Sequence, residues 1–152
     1  MLQIAFICCL LFISGCEKDS GRSGPPTASQ TSKATARLSD RVKFLQQYVT
    51  FRREYVDLEY NVVFQNNGGG RGTLGPSDWD MRIVATVPPE QIQAWVPADA
   101  VEATAPKTEW LETTAQKIDV SSINEWHIVE GASVGVDREN SIVAFRSNTF
   151  GY

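Results

Sequence analysis

Asp78 and Asp80 stand on either side of Trp79, and the single histidine of the chain, His127, lies far downstream. Two carboxylates at alternate positions of an extended strand project to the same side. There they can hold a hard cation or divide acid and base roles. With His127 they supply the acid–base inventory of a small envelope hydrolase or metal-dependent enzyme. The counts work against that chemistry. One short carboxylate pair lacks the ligand number of a calcium loop, and a lone histidine excludes a multi-histidine metal site. A Ser-His-Asp relay would have to use Ser121, Ser122, Ser133 or Ser141, and none of these sits in a Gly-x-Ser-x-Gly elbow. The plainer reading makes Asp78 and Asp80 turn-ending residues and His127 an exposed strand residue. No catalytic residue, metal ligand or cofactor is assigned from the sequence.

The stretch before this pair, Gly68-Gly69-Gly70-Arg71-Gly72-Thr73-Leu74-Gly75, offers a second chemistry. Consecutive backbone amides can cradle an anion, with Arg71 adding charge. The fingerprint is wrong for phosphate, because a P-loop needs Gly-Lys-Ser/Thr opening a helix and this loop leads into a strand. A hairpin connection is the plainer reading of Gly68, Gly69, Gly70 and Arg71. Together with Asp78, Trp79 and Asp80 they form the candidate ligand or partner loop. Trp79, Trp95, Trp110 and Trp126 and the tyrosines Tyr48, Tyr55, Tyr60 and Tyr152 suit binding platforms and small cores alike.

The cysteines are Cys8, Cys9 and Cys16, all near the N-terminus. An apolar run from Leu2 to Ile13 is shorter than the about 20 residues of a membrane-spanning helix and has the length of a signal-peptide core. No Lys or Arg precedes it, so its positive end rests on the terminal amine. Ile13-Ser14-Gly15-Cys16 resembles the lipobox of bacterial lipoproteins. The resemblance implies cleavage after residue 15 and a diacylglyceryl group on the thiol of Cys16. Cys8 and Cys9 would then leave with the signal peptide. The mature chain would have no thiol for a disulfide, a metal or a nucleophile.

These motifs must be carried by folded elements, and the composition divides the chain for them. Residues 1–15 read as signal peptide. Residues 16–37 read as a lipidated cysteine followed by a flexible linker, because EKDSGRSGPPTASQTSKATAR has almost nothing apolar to bury. Residues 38–152 hold all four tryptophans and read as one globular domain. A cap at Leu38-Ser39-Asp40 and the spacing of Val42, Leu45 and Val49 predict a helix. Strict alternation from Glu54 to Gln65 puts Val56, Leu58, Tyr60, Val62 and Phe64 on one face. A second alternating run carries Trp79, Met81, Ile83, Ala85 and Val87. Pro89 opens a short helix bearing Ile92 and Trp95, and Glu109 to Lys117 holds another that buries Trp110 and Leu111. Trp126 to Arg146 reads as strands around a turn at Asp137-Arg138-Glu139-Asn140. The expected fold class is therefore α+β, a small antiparallel sheet in the order α-β-β-α-β-β with packed helices.

The net charge of −4 excludes the basic footprint of a nucleic-acid binder. It also leaves attachment to the bilayer to the lipid on Cys16. Glu17 differs from the aspartate that marks inner-membrane retention in lipoproteins of enteric bacteria, which favours an outer-membrane location facing the periplasm. The whole resembles small uncharacterised lipoproteins of Gram-negative bacteria. The expectation is a membrane-tethered interaction or structural domain, with an envelope protein as partner in the manner of an inhibitor or immunity protein. The alternatives are the hydrolase or metal enzyme using Asp78, Asp80 and His127, and a small-ligand-binding module, which needs an apolar pocket with a few convergent polar groups.

Overall fold

The computed structural model describes residues 27–49, 53–67, 77–129 and 131–149. The expected signal peptide, Cys16, and the loop residues Gly68, Gly69, Gly70 and Arg71 lie outside the described residues. The elements in chain order are β1 (Ala28–Thr31), α1 (Leu38–Leu45), β2 (Asp57–Gln65), β3 (Asp78–Thr86), α2 (Ile92–Trp95), β4 (Val101–Glu102), α3 (Glu109–Thr114), β5 (Glu125–Val129), β6 (Ala132–Asp137) and β7 (Ile142–Asn148). The strands form one seven-stranded sheet in the order β1-β2-β3-β7-β6-β5-β4. Every neighbouring pair is antiparallel.

An antiparallel sheet carrying helices is what the alternation implied. The order α-β-β-α-β-β is corrected, because the sheet has seven strands and is mostly β. One added strand, β1, comes from the Ser/Thr-rich segment read as linker. It has no apolar alternation of its own and exists by pairing with β2, from Ala28 opposite Phe64 to Thr31 opposite Asn61. Gln30 Nε2 reinforces it by donating to the Tyr60 hydroxyl at 2.9 Å. A second addition is the separation of β5 from β6, with Gly131 at φ 71° just ahead of β6. That left-handed conformation is cheap only for glycine. Two boundaries also move. Arg37 rather than Ser39 or Asp40 occupies the N-cap of α1. Val56 lies ahead of β2 and is 62% exposed, not on its apolar face.

Both faces of the sheet are covered. On one, Leu58, Tyr60, Val62, Met81, Ile83 and Val143 meet α1 and α2 through Leu45, Ile92 and Trp95. On the other, Val84, Trp126, Ile142 and Ala144 meet Trp110 and Leu111 of α3. Coverage of the second face buries groups that alternation assigns to solvent. Glu59 is only 2% exposed. Its Oε2 accepts the backbone N–H groups of Gln116, Lys117 and Ile118 at 2.7, 3.1 and 3.3 Å, which fastens the chain after α3 to the sheet. Arg41 likewise ties α1 to the start of β2. Its Nη2 meets Asp57 Oδ1 at 2.9 Å and its Nη1 donates to the Leu58 carbonyl.

Candidate functional site

The sequence candidates split between the two faces. Asp78, Asp80 and Arg82 project from β3 toward the α3 side, because they alternate with the core residues Met81 and Ile83. Following the register across β7, β6 and β5, Ile128 shares the face of Asp80, whereas His127 pairs with Val134 on the opposite face. The sheet itself therefore separates the two carboxylates from the histidine, and the three do not converge on one pocket.

Each has a local partner instead. Asp78 Oδ2 accepts Asn67 Nδ2 at 3.1 Å across the mouth of the β2–β3 connection. Asp80 receives Arg82 Nη2 at 2.6 Å and Arg146 Nε and Nη2 at 3.1 Å each. Burial pushes its carboxyl upward, but the two guanidiniums outweigh burial and hold it below the usual carboxylate range. His127, half-buried rather than exposed, places Nε2 2.6 Å from Glu125 Oε1. Arg138 binds the same carboxylate in a bidentate fork at 2.6 Å for both bonds. Ser122 and Ser121 hydrogen-bond to Asp137 and Asp119, and among the described residues no serine hydroxyl bonds to His127. Among the described residues no group of three His, Cys, Asp or Glu could hold a metal ion.

The Arg138 fork, only partly offset by burial and helped by His127, holds the Glu125 carboxyl at about 2 against an ordinary 4.5. A depressed carboxylate contributes stability that is complete above its unfolded value and is lost as pH falls toward its folded one. Glu125→Gln should therefore lower stability at pH 7 and flatten the loss seen between about pH 4.5 and 2, as read from urea denaturation at stepped pH. Arg138 is 51% exposed, so solvent screening keeps the effect at about 1 kcal/mol.

The remaining candidate, Trp79, leads to a site that the sequence did not assemble. Phe64 and Trp79 are register partners at the end of the β2–β3 pair where the chain connects the two strands, and Met81 pairs with Ser147 one step in. Phe145 of β7 adds to this sheet surface, and Tyr48 and Val49, just past α1, lie over it. They enclose a cavity of about 280 Å³ on the α1 face. Tyr48 and Phe64 meet with ring centres 5.1 Å apart and planes tilted by 52°, so one wall is fixed by an aromatic contact. The indole of Trp79 is oriented by its N–H, which donates to Ser147 Oγ at 3.1 Å. Burial, with Tyr60 nearby, raises the Tyr48 phenol above its ordinary value, so it is neutral at physiological pH.

No protein-family model, curated protein or solved structure matches the chain. Function must be read from the site alone. The chemistry of the cavity is apolar with a few hydroxyl and N–H groups at its edge, the composition of a small-molecule pocket. Its volume suits one substituted ring or a short aliphatic segment. The spacing could have shown half of it, since Phe64 ends one alternating run and Trp79 begins the next. Tyr48 read as a platform or core aromatic alike, and nothing in the spacing joined it or Phe145 to Trp79.

Proposed function

We propose that the chain is a bacterial lipoprotein, held to a membrane by the lipid on Cys16, whose folded domain binds a compact apolar or aromatic ligand in the Trp79 pocket. The observation that carries the ligand reading is the pocket itself, with four aromatic side chains around about 280 Å³ and an indole oriented by Ser147. The enzyme alternative loses its basis when His127 and the carboxylates fall on opposite faces. The protein-partner alternative has less support than the pocket. Of the exposed large apolar residues among the described ones, Val101 and Ile128 make one small pair, while Val56 and Val63 stand toward opposite ends of β2. That is far from the area of a standard protein interface.

Topology adds a second support. Ala28 pairs with Phe64, and Phe64 pairs with Trp79, so the chain leaves toward Cys16 at the pocket's end of the sheet. The chain therefore enters the sheet at the pocket's end, and in this reading a lipid on Cys16 would bring that end toward the bilayer, where apolar compounds are concentrated. Among the described residues no helix is long and apolar enough to cross a membrane, so attachment rests on the lipid in this reading. An outer-membrane, periplasm-facing location follows from Glu17 within the same proposal.

Phenol and indole are suitable probes for the full chain in neutral detergent. Saturation-transfer NMR should show binding with Kd below about 1 mM, equivalent to about 4 kcal/mol. Ser147→Phe, which fills the cavity, should abolish binding while the thermal unfolding transition persists. Equal signals from both proteins would mean that the probes report only the micelle or another surface, and the pocket reading would fall.

A further inference from the structure

Ser147 lies on β7 opposite Met81, on the α1 side of the sheet, and lines the Trp79 pocket. The groups in that lining able to form strong hydrogen bonds are the Tyr48 phenol, the Trp79 indole N–H and the Ser147 hydroxyl. The indole N–H is spent, because it donates to Ser147 Oγ at 3.1 Å. Tyr48 packs on the ring of Phe64 and has a further interaction of its own. The Ser147 hydroxyl differs from both. A hydroxyl has one hydrogen to give and two lone pairs, and the indole occupies only a lone pair. Among the described residues nothing accepts the Ser147 hydrogen. An oxygen that receives a hydrogen bond is polarised by it and becomes a stronger donor. Trp79 and Ser147 thus form a short relay that ends in a donor at the cavity.

We infer that the ligand of this pocket is a neutral carbonyl compound, an aryl or short-chain ketone or aldehyde whose oxygen accepts the Ser147 hydrogen. The inference rests on the Trp79 pocket reading and supplies its polar specificity. Each part of the class follows from the lining. Phe64, Trp79 and Phe145 suit an apolar body of the size of one ring. Among the described residues no charged side chain lines the cavity, so a carboxylate, phosphate or ammonium would be desolvated there without compensation. A pure hydrocarbon would cover the hydroxyl and leave its hydrogen without an acceptor, which is penalised. A ligand that only donates meets the weaker side of the hydroxyl, whose oxygen already serves the indole. A carbonyl oxygen avoids each of these costs, and Ser147 is the residue that selects for it.

Acetophenone and α-methylstyrene are the probes, a ketone and a hydrocarbon of nearly the same shape. Both are titrated into the full chain in neutral detergent and followed by saturation-transfer NMR, with protein-free micelles as reference. Ser147→Thr keeps the hydroxyl, whereas Ser147→Val puts a methyl group in its place, and both side chains suit a strand. The preference for acetophenone over α-methylstyrene should persist in Ser147→Thr and fall about threefold to tenfold in Ser147→Val, the worth of one neutral hydrogen bond. Taking the ratio of the two probes within each protein cancels their different partition into the micelle. The infrared carbonyl stretch of bound acetophenone gives a second readout on the parent protein alone, which serves if the valine variant fails to fold. It should lie below its value in dodecane. Saturable binding of both probes with equal preference in the two variants, or an unshifted carbonyl stretch, would overturn the inference and leave the pocket reading standing. Saturable binding of neither probe would overturn both.

Discussion

Gly135→Ala should lower the melting temperature of the domain by about 5–15 °C, and Gly135→Val should leave little cooperative structure. Gly135 is the register partner of Trp126 across β6 and β5, and the indole lies over the place where a side chain would begin. A Cβ at Gly135 would stand 2.8 Å from both Ile123 Cγ2 and Trp126 Cη2, and 2.9 Å from Trp126 Cζ3. None of these atoms can easily retreat. The indole is 3% exposed and is wedged among Val84, Trp110, Leu111, Ile142 and Ala144, the whole cluster that holds α3 to the sheet. Forcing one methyl into such packing costs about 1–3 kcal/mol. At a domain of this size each kcal/mol is worth about 3–6 °C. Valine adds two more methyl groups in the same gap and approaches the whole stability of a typical domain. Circular dichroism melts of both variants give the values, with the near-ultraviolet band reporting the tryptophans directly. The cost of Gly135→Ala should shrink in a Trp126→Leu background, because the two residues share one space. An alanine variant as stable as the parent would mean that Trp126 does not lie over Gly135.

The same pair shows why some of the fold is legible in the chain and some is not. Trp126 reads as a buried residue because its neighbours alternate, but nothing in the sequence says that Gly135 is the residue beneath it. That is fixed by register between strands. The strands β2 and β3 announce themselves because each carries four alternating apolar positions on the face that α1 and α2 cover, so local pattern and tertiary burial agree. Strand β1 is silent because its Ser and Thr residues gain stability only from the edge of β2. Glu59 misleads for a different reason. Period-two alternation places it correctly on the face opposite Leu58 and Tyr60, but the inference that this face is wet fails. The chain after α3 folds over it and supplies three N–H groups to its carboxylate. Asp80, Arg82 and Arg146 are polar on that same covered face, where the two guanidiniums share the one carboxylate. The pocket was half legible. Trp79 stood out as a tryptophan at the start of a strand, whereas its partners Tyr48 and Phe145 arrive from positions far away in the chain. Asp78, Asp80 and His127 fall apart through the one property that composition never carries, namely which side of a sheet each group occupies.

Cys16→Ser should abolish lipid attachment altogether and release the protein from the membrane-bound fraction or leave it unprocessed. A serine hydroxyl cannot replace the thiol as acceptor of the diacylglyceryl group, so the expected effect is complete loss rather than a partial one. Labelling with an alkyne analogue of palmitate and fractionation of cells measure it directly, and survival of both label and membrane attachment would show the lipobox reading to be mistaken. The structure sharpens what that lipid would do. A linker running to residue 37 would let the domain wander far from the bilayer, but β1 takes the chain into the sheet at Ala28. From Cys16 to Ala28 there are 12 residue steps, which extend to at most about 40 Å. Because Ala28 pairs with Phe64 of the pocket wall, the short leash is fixed to the pocket's own end of the sheet. Losing the lipid would therefore remove more than an address. On the function proposed above, it would take the pocket away from the apolar phase that supplies the ligand, so occupancy in Cys16→Ser cells should fall even though the affinity of the purified domain for phenol or indole is unchanged.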